Sequence, residues 1–122
     1  MRWLDILVVV MTSLVLAACS QTVQQSGLPG TYVLRSSSSV ALLELNPDGS
    51  FKQTLVRNGS ELNNVGIWKW DDRTAMLVLT DALNVKNGGV SREWITVLPV
   101  VKTFRSQRLI VDNASGDAYE KQ

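Results

Sequence analysis

The apolar residues that follow Pro29 occur in short runs, each bounded by residues that favour turns, mainly Gly, Asn, Asp and Ser. The runs are about four to eight residues long, which is the usual length of a strand. An amphipathic helix would need apolar residues at spacings of three and four over a longer stretch, and no part of the chain after Pro29 sustains that period. The sequence therefore predicts an all-β domain.

Two turn motifs indicate how the strands are connected. In Asn46-Pro47-Asp48-Gly49, proline presets φ for the first central position of a turn and glycine accepts a positive φ. Arg57-Asn58-Gly59-Ser60 contains Asn-Gly, which is typical of a two-residue hairpin loop. Further reversals are expected at residues 71–74 and 112–117. Such evenly spaced turns predict a small antiparallel up-and-down meander, closed into a barrel or partly open.

Between the turns, the apolar runs predict strands that end at the flanking polar residues. The segment from Thr80 to Ser91 is an exception. We predict a loop there, with one helical turn over Asp81–Lys86 as the alternative, because Asn87-Gly88-Gly89 breaks the chain. The predicted strands are Thr31–Arg35, Val40–Leu45, Phe51–Arg57, Val65–Trp70, Ala75–Thr80, Trp94–Leu98, Val100–Phe104, Arg108–Asp112 and Ala118–Lys121.

Two of these strands carry apolar residues on both faces. Alternate residues of a strand point to opposite sides, and both Val40-Ala41-Leu42-Leu43 and Met76-Leu77-Val78-Leu79 are apolar throughout. In a small barrel one of the two faces would meet water. We therefore expect part of the outer surface to be covered by the segment 80–91, by a second copy, or by a partner.

The first 18 residues have the layout of a secretory signal peptide. Arg2 precedes an apolar run over Ile6–Leu16, and the small residues Ala17 and Ala18 precede the single cysteine, Cys19. A helix over this run and the two alanines would rise only about 20 Å, against a bilayer core of about 30 Å. An ordinary secreted protein and an uncleaved short anchor are the alternatives.

The motif Leu16-Ala17-Ala18-Cys19 resembles the lipobox of bacterial lipoproteins. The resemblance implies diacylation of the Cys19 thiol, for example with palmitate, cleavage between Ala18 and Cys19, and acylation of the new amino terminus. Two or three acyl chains hold a protein stably on a membrane. The resemblance also implies that Ser20, rather than an aspartate, favours the outer membrane, with the protein facing the periplasm.

Removal of residues 1–18 leaves a chain long enough for one domain and too short for two. We expect residues 19–28 to form a flexible tether that lets the domain sit clear of the bilayer, and residues 29–122 to form a single β-domain. Lys and Arg number 12 against 11 Asp and Glu, so the net charge is +1. No basic field is available to collect nucleic acid.

The absence of histidine excludes several kinds of chemistry. Histidine general bases, Ser-His-Asp and Cys-His nucleophile systems and the common zinc and copper sites all depend on it. Glu44, Glu93 and Glu120 lie among apolar residues, but their spacing places no two together as a catalytic pair. The Asp112–Asp117 segment lacks the ligand spacing of a calcium loop and is interpreted as a turn. We expect no catalysis, no metal and no cofactor.

Three further segments, Gly30-Thr31-Tyr32, Leu45–Phe51 and Gly66-Ile67-Trp68, carry a second resemblance. They look like parts of the small lipocalin-like β-barrel domains of bacterial envelope lipoproteins, including the copper-resistance type and the heat-shock META type. The resemblance implies a lipocalin-like barrel. The Cys-x-x-Cys of the copper-resistance type is absent here, so copper binding is not implied, and no catalytic residue is carried over.

Aromatic residues are the candidate contacts for a ligand or partner. Tyr32, Phe51, Trp68 and Trp70 would either line a pocket for an apolar ligand or fill a small core. Trp94, near a strand end, is expected to touch solvent or a partner.

These observations predict a lipid-anchored cell-envelope protein that acts by binding or scaffolding. Its partner would be an envelope protein or a second copy, besides the membrane. One alternative is a lipocalin-like carrier of a small apolar ligand, which needs a cavity of about 300 Å³ or more. Another alternative is an inhibitor of an extracellular enzyme.

Overall fold

The computed structural model describes residues 22–86, 89–112 and 115–122. The predicted leader and Cys19 lie outside the described residues. In the described ranges no helix is long and apolar enough to cross a membrane. A short 3-10 helix, Gln25–Gly27, precedes the strands β1 (Gly30–Arg35), β2 (Ser39–Leu45), β3 (Ser50–Arg57), β4 (Ser60–Asp71), β5 (Met76–Lys86), β6 (Gly89–Lys102), β7 (Gln107–Asp112) and β8 (Asp117–Lys121).

The eight strands form a closed antiparallel barrel in which each strand lies beside its neighbours in sequence. The barrel closes through β8 and β1, where Val33 lies opposite Glu120. The predicted all-β antiparallel meander is thus confirmed, and of the closed and partly open barrels left open by the sequence, the structure shows the closed one.

Both predicted turn motifs form turns. The Gly49 N–H donates to the Asn46 carbonyl over 3.1 Å, and Gly49 has a φ of 91°. The Asp48 carboxylate accepts hydrogen bonds from the hydroxyl and the N–H of Ser50, and these lower the pKa of Asp48. Asn58 and Gly59 both have positive φ, as a type I′ hairpin turn requires.

The loop predicted over Thr80–Ser91 is wrong. β5 and β6 continue through this region as a long hairpin, with Leu83 opposite Arg92. Asp81, which adopts a φ of 62°, marks the point where β5 leaves β4, since their pairing ends at Ile67 and Thr80. The second part of β5 is therefore supported by β6 and by side chains from inside the barrel.

The two strands predicted over Trp94–Leu98 and Val100–Phe104 belong to one strand, β6. Pro99 does not interrupt it, because a proline is tolerated in a strand where its missing N–H is not needed. The Val100 N–H donates to Ala75 on the β5 side, so the nitrogen of Pro99 faces β7. Pairing between β6 and β7 is accordingly limited to Val100–Lys102.

The N-terminal segment closes one end of the barrel. Leu28 is completely buried, and the Tyr32 hydroxyl donates to its carbonyl over 2.6 Å. The Gly27 carbonyl accepts hydrogen bonds from Gln107 and Lys121 at 3.0 and 2.6 Å. The last residues of the predicted tether are therefore part of the folded barrel. We call this the closed end, and the opposite end the mouth.

Candidate functional site

Most of the predicted aromatic contacts lie in the core. Tyr32, Phe51 and Trp68 are buried in one hydrophobic cluster near the closed end, and half-buried Trp70 packs at its margin. The Trp68 indole N–H donates to the Asn46 carbonyl over 2.9 Å, which ties the ring to the β2–β3 turn. The structure therefore brings these four residues together as packing.

Trp94 lies apart from this cluster. It is on the β6 half of the long hairpin and is 73% exposed. A largely exposed indole contributes little to the stability of the fold, because most of its apolar surface stays in contact with water. Its position agrees with the predicted contact with solvent or a partner.

The mouth of the barrel contains a cavity of about 100 Å³. Apolar side chains such as Leu34, Ala41 and Leu55 line it, together with Tyr119. Cavities that hold drug-sized ligands measure about 300–1,000 Å³. None of the four aromatic residues of the core cluster lines this cavity.

Two buried polar residues below the mouth were not singled out from the sequence. Gln53 donates from Nε2 to the Leu83 carbonyl over 3.1 Å and accepts from the Leu83 N–H at Oε1 over 2.7 Å. Asn64 donates from Nδ2 to Gln53 Oε1 over 3.0 Å and to the Asp81 carbonyl over 2.6 Å. These two side-chain amides make hydrogen bonds to the backbone of β5 beyond the point where its backbone pairing with β4 ends. In the sequence, such a residue can be recognised as a polar residue at an inward position of a strand. Gln53 is an example, because it lies between the inward-facing Phe51 and Leu55 of β3.

Titratable side chains are the remaining candidates for chemistry in the described residues. No group of three or more His, Cys, Asp or Glu side chains among them could hold a metal ion. Burial raises the pKa of Tyr32 and of Tyr119, with hydrogen bonds to glutamine side chains opposing the shift. Both phenols therefore stay protonated at neutral pH. Glu120 lies 3.5 Å from the Arg108 guanidinium in an exposed pair.

The outer surface carries an apolar strip across three adjacent strands. Ile67 on β4 and Ile95 on β6 lie on either side of Thr80, and Val97 lies opposite Val78 on β5. We define the outer strip as Val65, Ile67, Val78, Ile95 and Val97.

All but half-buried Val78 in the outer strip are exposed, with Val65 at 72% and Ile67 at 56%. Two lysines border the strip, since Lys52 lies opposite Val65 and Lys69 opposite Val78. The outward-facing Val78 confirms that this strand is apolar on both faces. Because segment 80–91 belongs to the barrel wall, it does not cover the strip.

No protein family, curated protein or solved structure matches this chain.

Proposed function

We propose that this protein is a lipid-anchored component of the bacterial cell envelope that binds a partner protein through the outer strip, without catalysis. The motif Leu16-Ala17-Ala18-Cys19 supports the anchor, through its resemblance to a lipobox. The observation that carries the binding role is the outer strip itself. Val78 and Val97 lie directly opposite each other on strands about 4.8 Å apart, and Ile67 and Ile95 flank Thr80 on the same face, so the apolar side chains are grouped rather than scattered singly over the surface.

The apolar side chains of the outer strip and the lysines at its border indicate what kind of partner surface would fit. A partner that covers Ile67 and Val97 would remove apolar area from water, which contributes about 25 cal/mol for each Å² buried. Lys52 and Lys69 at the border favour a partner with acidic groups around an apolar centre. In the outer membrane this partner would be another envelope protein on the periplasmic side.

A photo-crosslinking residue placed at Ile67 in the full chain would test the binding role in cells. Position 56 is the matched control, because Val56 is also an exposed β-branched residue on the outer surface but lies on β3 outside the strip. We expect a discrete adduct from position 67 that Val97→Ser weakens, and none from position 56. Equal adducts from both positions, or none from position 67, would contradict the binding role.

Palmitate labelling of the full chain would test the anchor. We expect label in the wild type and none in Cys19→Ala, because the thiol is the acceptor. Equal labelling of the two chains, or none in either, would remove the anchor from the proposal and leave the binding surface to be judged by crosslinking.

A second candidate, favoured by the apolar cavity at the mouth, is carriage of a small apolar ligand. At about 100 Å³, the cavity restricts this role to ligands of a few heavy atoms unless the mouth widens. Replacing Ala41, which lines the cavity, by leucine would fill it. A carrier would then lose uptake of a small apolar fluorophore, whereas partner crosslinking from position 67 would stay unchanged.

A further inference from the structure

The segment that joins the barrel to the proposed lipid is shorter than the sequence suggested. Val23 packs against the hydrophobic core, and Gln25–Leu28 form the 3-10 helix and the buried residue that close the barrel. Three residue steps separate Cys19 from Thr22, the first residue that the structure describes. Fully extended, three residues span about 10 Å. An acyl group on Cys19 would therefore hold the closed end against the bilayer rather than clear of it.

The turn between β6 and β7 presents an apolar side chain at this end. Phe104 is 79% exposed. The turn is held by the Thr103 N–H, which donates to the Ser106 carbonyl over 2.8 Å, and by the Ser106 N–H, which donates to Thr103 Oγ1 over 3.2 Å. The phenyl ring is thus displayed on a hydrogen-bonded turn, with most of its surface in contact with water.

Cationic side chains lie near this ring. Lys102, Arg105 and Lys121 line the same surface depression as Phe104, and no Asp or Glu lines it; Lys121 also donates to the Gly27 carbonyl over 2.6 Å. Asp72 lies on the neighbouring turn, next to Thr22. Anionic lipid headgroups attract clusters of Lys and Arg near the surface, and an aromatic ring enters the boundary between headgroups and acyl chains.

We propose that the β6–β7 turn docks on the surface of an anionic bilayer, with Phe104 inserted and Lys102 and Arg105 against the headgroups. This inference rests on the proposed anchor at Cys19 and adds an orientation to it. The closed end faces the lipid, and the mouth and the exposed Trp94 point away. The outer strip then stands on the side of the barrel, where a neighbouring envelope protein can reach it.

Lipid quenching of a probe at position 104 would test the orientation. The full chain, with an apolar thiol-reactive fluorophore on Phe104→Cys, is reconstituted into vesicles of phosphatidylcholine and phosphatidylglycerol that carry nitroxide-labelled lipid. Trp94→Cys with the same fluorophore is the matched control, since both side chains are about three quarters exposed and Trp94 lies on β6 eight residues before that strand ends at Lys102. We expect strong quenching and a blue shift at position 104 and neither at position 94.

Charge reversal would test the role of the cations. Each Lys or Arg near an anionic surface changes the docking equilibrium constant about fivefold, so loss of both positive charges would lower it about 25-fold. Lys102→Glu with Arg105→Glu also adds two negative charges and should therefore lower it by more than that. Arg92→Glu, an exposed arginine towards the mouth, should leave quenching at position 104 unchanged. Vesicles of phosphatidylcholine alone should also give weak quenching.

The outcomes separate this inference from the anchor. If mass spectrometry finds an acyl group on Cys19 and position 104 is no more quenched than position 94, the docking surface is refuted and the anchor stands. If Cys19 carries no acyl group, the anchor fails, and sedimentation of the chain with the same vesicles decides. Sedimentation that Lys102→Glu with Arg105→Glu abolishes would support the docking surface, and sedimentation unaffected by that change, or absent, would refute it.

Discussion

Gln53 is the side chain whose removal should damage the barrel most specifically. Its amide is buried and exchanges two hydrogen bonds with the backbone of Leu83, while its oxygen also accepts from Asn64. Gln53→Ala would leave the Leu83 N–H and carbonyl and one Asn64 donor without this partner. An unsatisfied buried polar group costs about 1–3 kcal/mol. Because Leu83 is only half-buried and water can reach part of it, we expect a total loss of about 2–5 kcal/mol in unfolding free energy.

Two further substitutions at this position separate hydrogen bonding from volume. Gln53→Leu keeps the volume but not the bonds, so it should be nearly as destabilising as Gln53→Ala. Gln53→Glu keeps the acceptor but places a buried carboxylate against the Leu83 carbonyl, which raises the pKa of the new carboxyl. Its stability should therefore match the wild type most closely below about pH 4, where the carboxyl is protonated, and fall as the pH rises through the raised pKa.

Urea unfolding of the full chain, followed by tryptophan fluorescence and far-ultraviolet dichroism at several pH values, would measure these differences. Thr54→Ala is the control, because the neighbouring Thr54 makes only an exposed side-chain bond, to Asn63 at 3.2 Å, and should change stability by less than about 0.5 kcal/mol. The reasoning fails if Gln53→Leu is as stable as the wild type, or if Gln53→Glu shows no dependence on pH beyond that of the wild type.

Three other substitutions probe the packing, the closed end and the buried phenols. Gly66→Ala would place a Cβ against the Thr80 carbonyl and 2.5 Å from the Phe51 ring, so thermal melting should show a loss of about 1–3 kcal/mol. Lys121→Met removes a hydrogen bond to Gly27, so limited proteolysis should cut the N-terminal segment faster. Because burial raises the pKa of Tyr119, wild-type stability should fall above about pH 10, and less so in Tyr119→Phe.

The parts of the fold that local sequence determines were predictable. Asn46–Gly49 and Asn58-Gly59 form turns because proline, aspartate, asparagine and glycine meet the backbone requirements within a few residues. These turns, together with the short apolar runs, were enough to predict an antiparallel meander. Whether the barrel is closed or partly open was not predictable, because closure depends on pairing between β1 and β8 at the two ends of the domain.

The long β5–β6 hairpin was not predictable in the same way, because distant side chains support it. The Asp81 carbonyl is bound by Asn64, and Asn84 donates to Thr96 over 2.9 Å. Local propensity alone favours a loop, because Asp81–Lys86 mixes polar and apolar residues without a clear strand pattern and is followed by Asn-Gly-Gly. The break predicted at Pro99 was wrong for a related reason. A proline is tolerated in a strand when its nitrogen faces the side where no hydrogen bond is needed, and that side depends on the register of β6.

The candidate surfaces were only partly visible in the sequence. Alternation showed that Met76–Leu79 is apolar on both faces, but the neighbours that make Val78 part of a contiguous strip come from β4 and β6. Aromatic content left Trp68 either as a pocket residue or as part of a small core, and the structure buries it in the core. The exposure of Phe104 could not be deduced, because it lies at the end of a predicted strand and its surroundings depend on the closed end.

The N-terminal segment is the first part of this domain to be synthesised and the last to find its partners. Gly27 receives hydrogen bonds from Gln107 and Lys121, which lie 80 and 94 positions later in the chain. In the proposed export of this chain, Gln107 and Lys121 would follow nearly the whole domain. Gly27 would then gain these two hydrogen bonds only when β7 and β8 arrive, so the proposed membrane attachment would be joined to the barrel in the last step of folding.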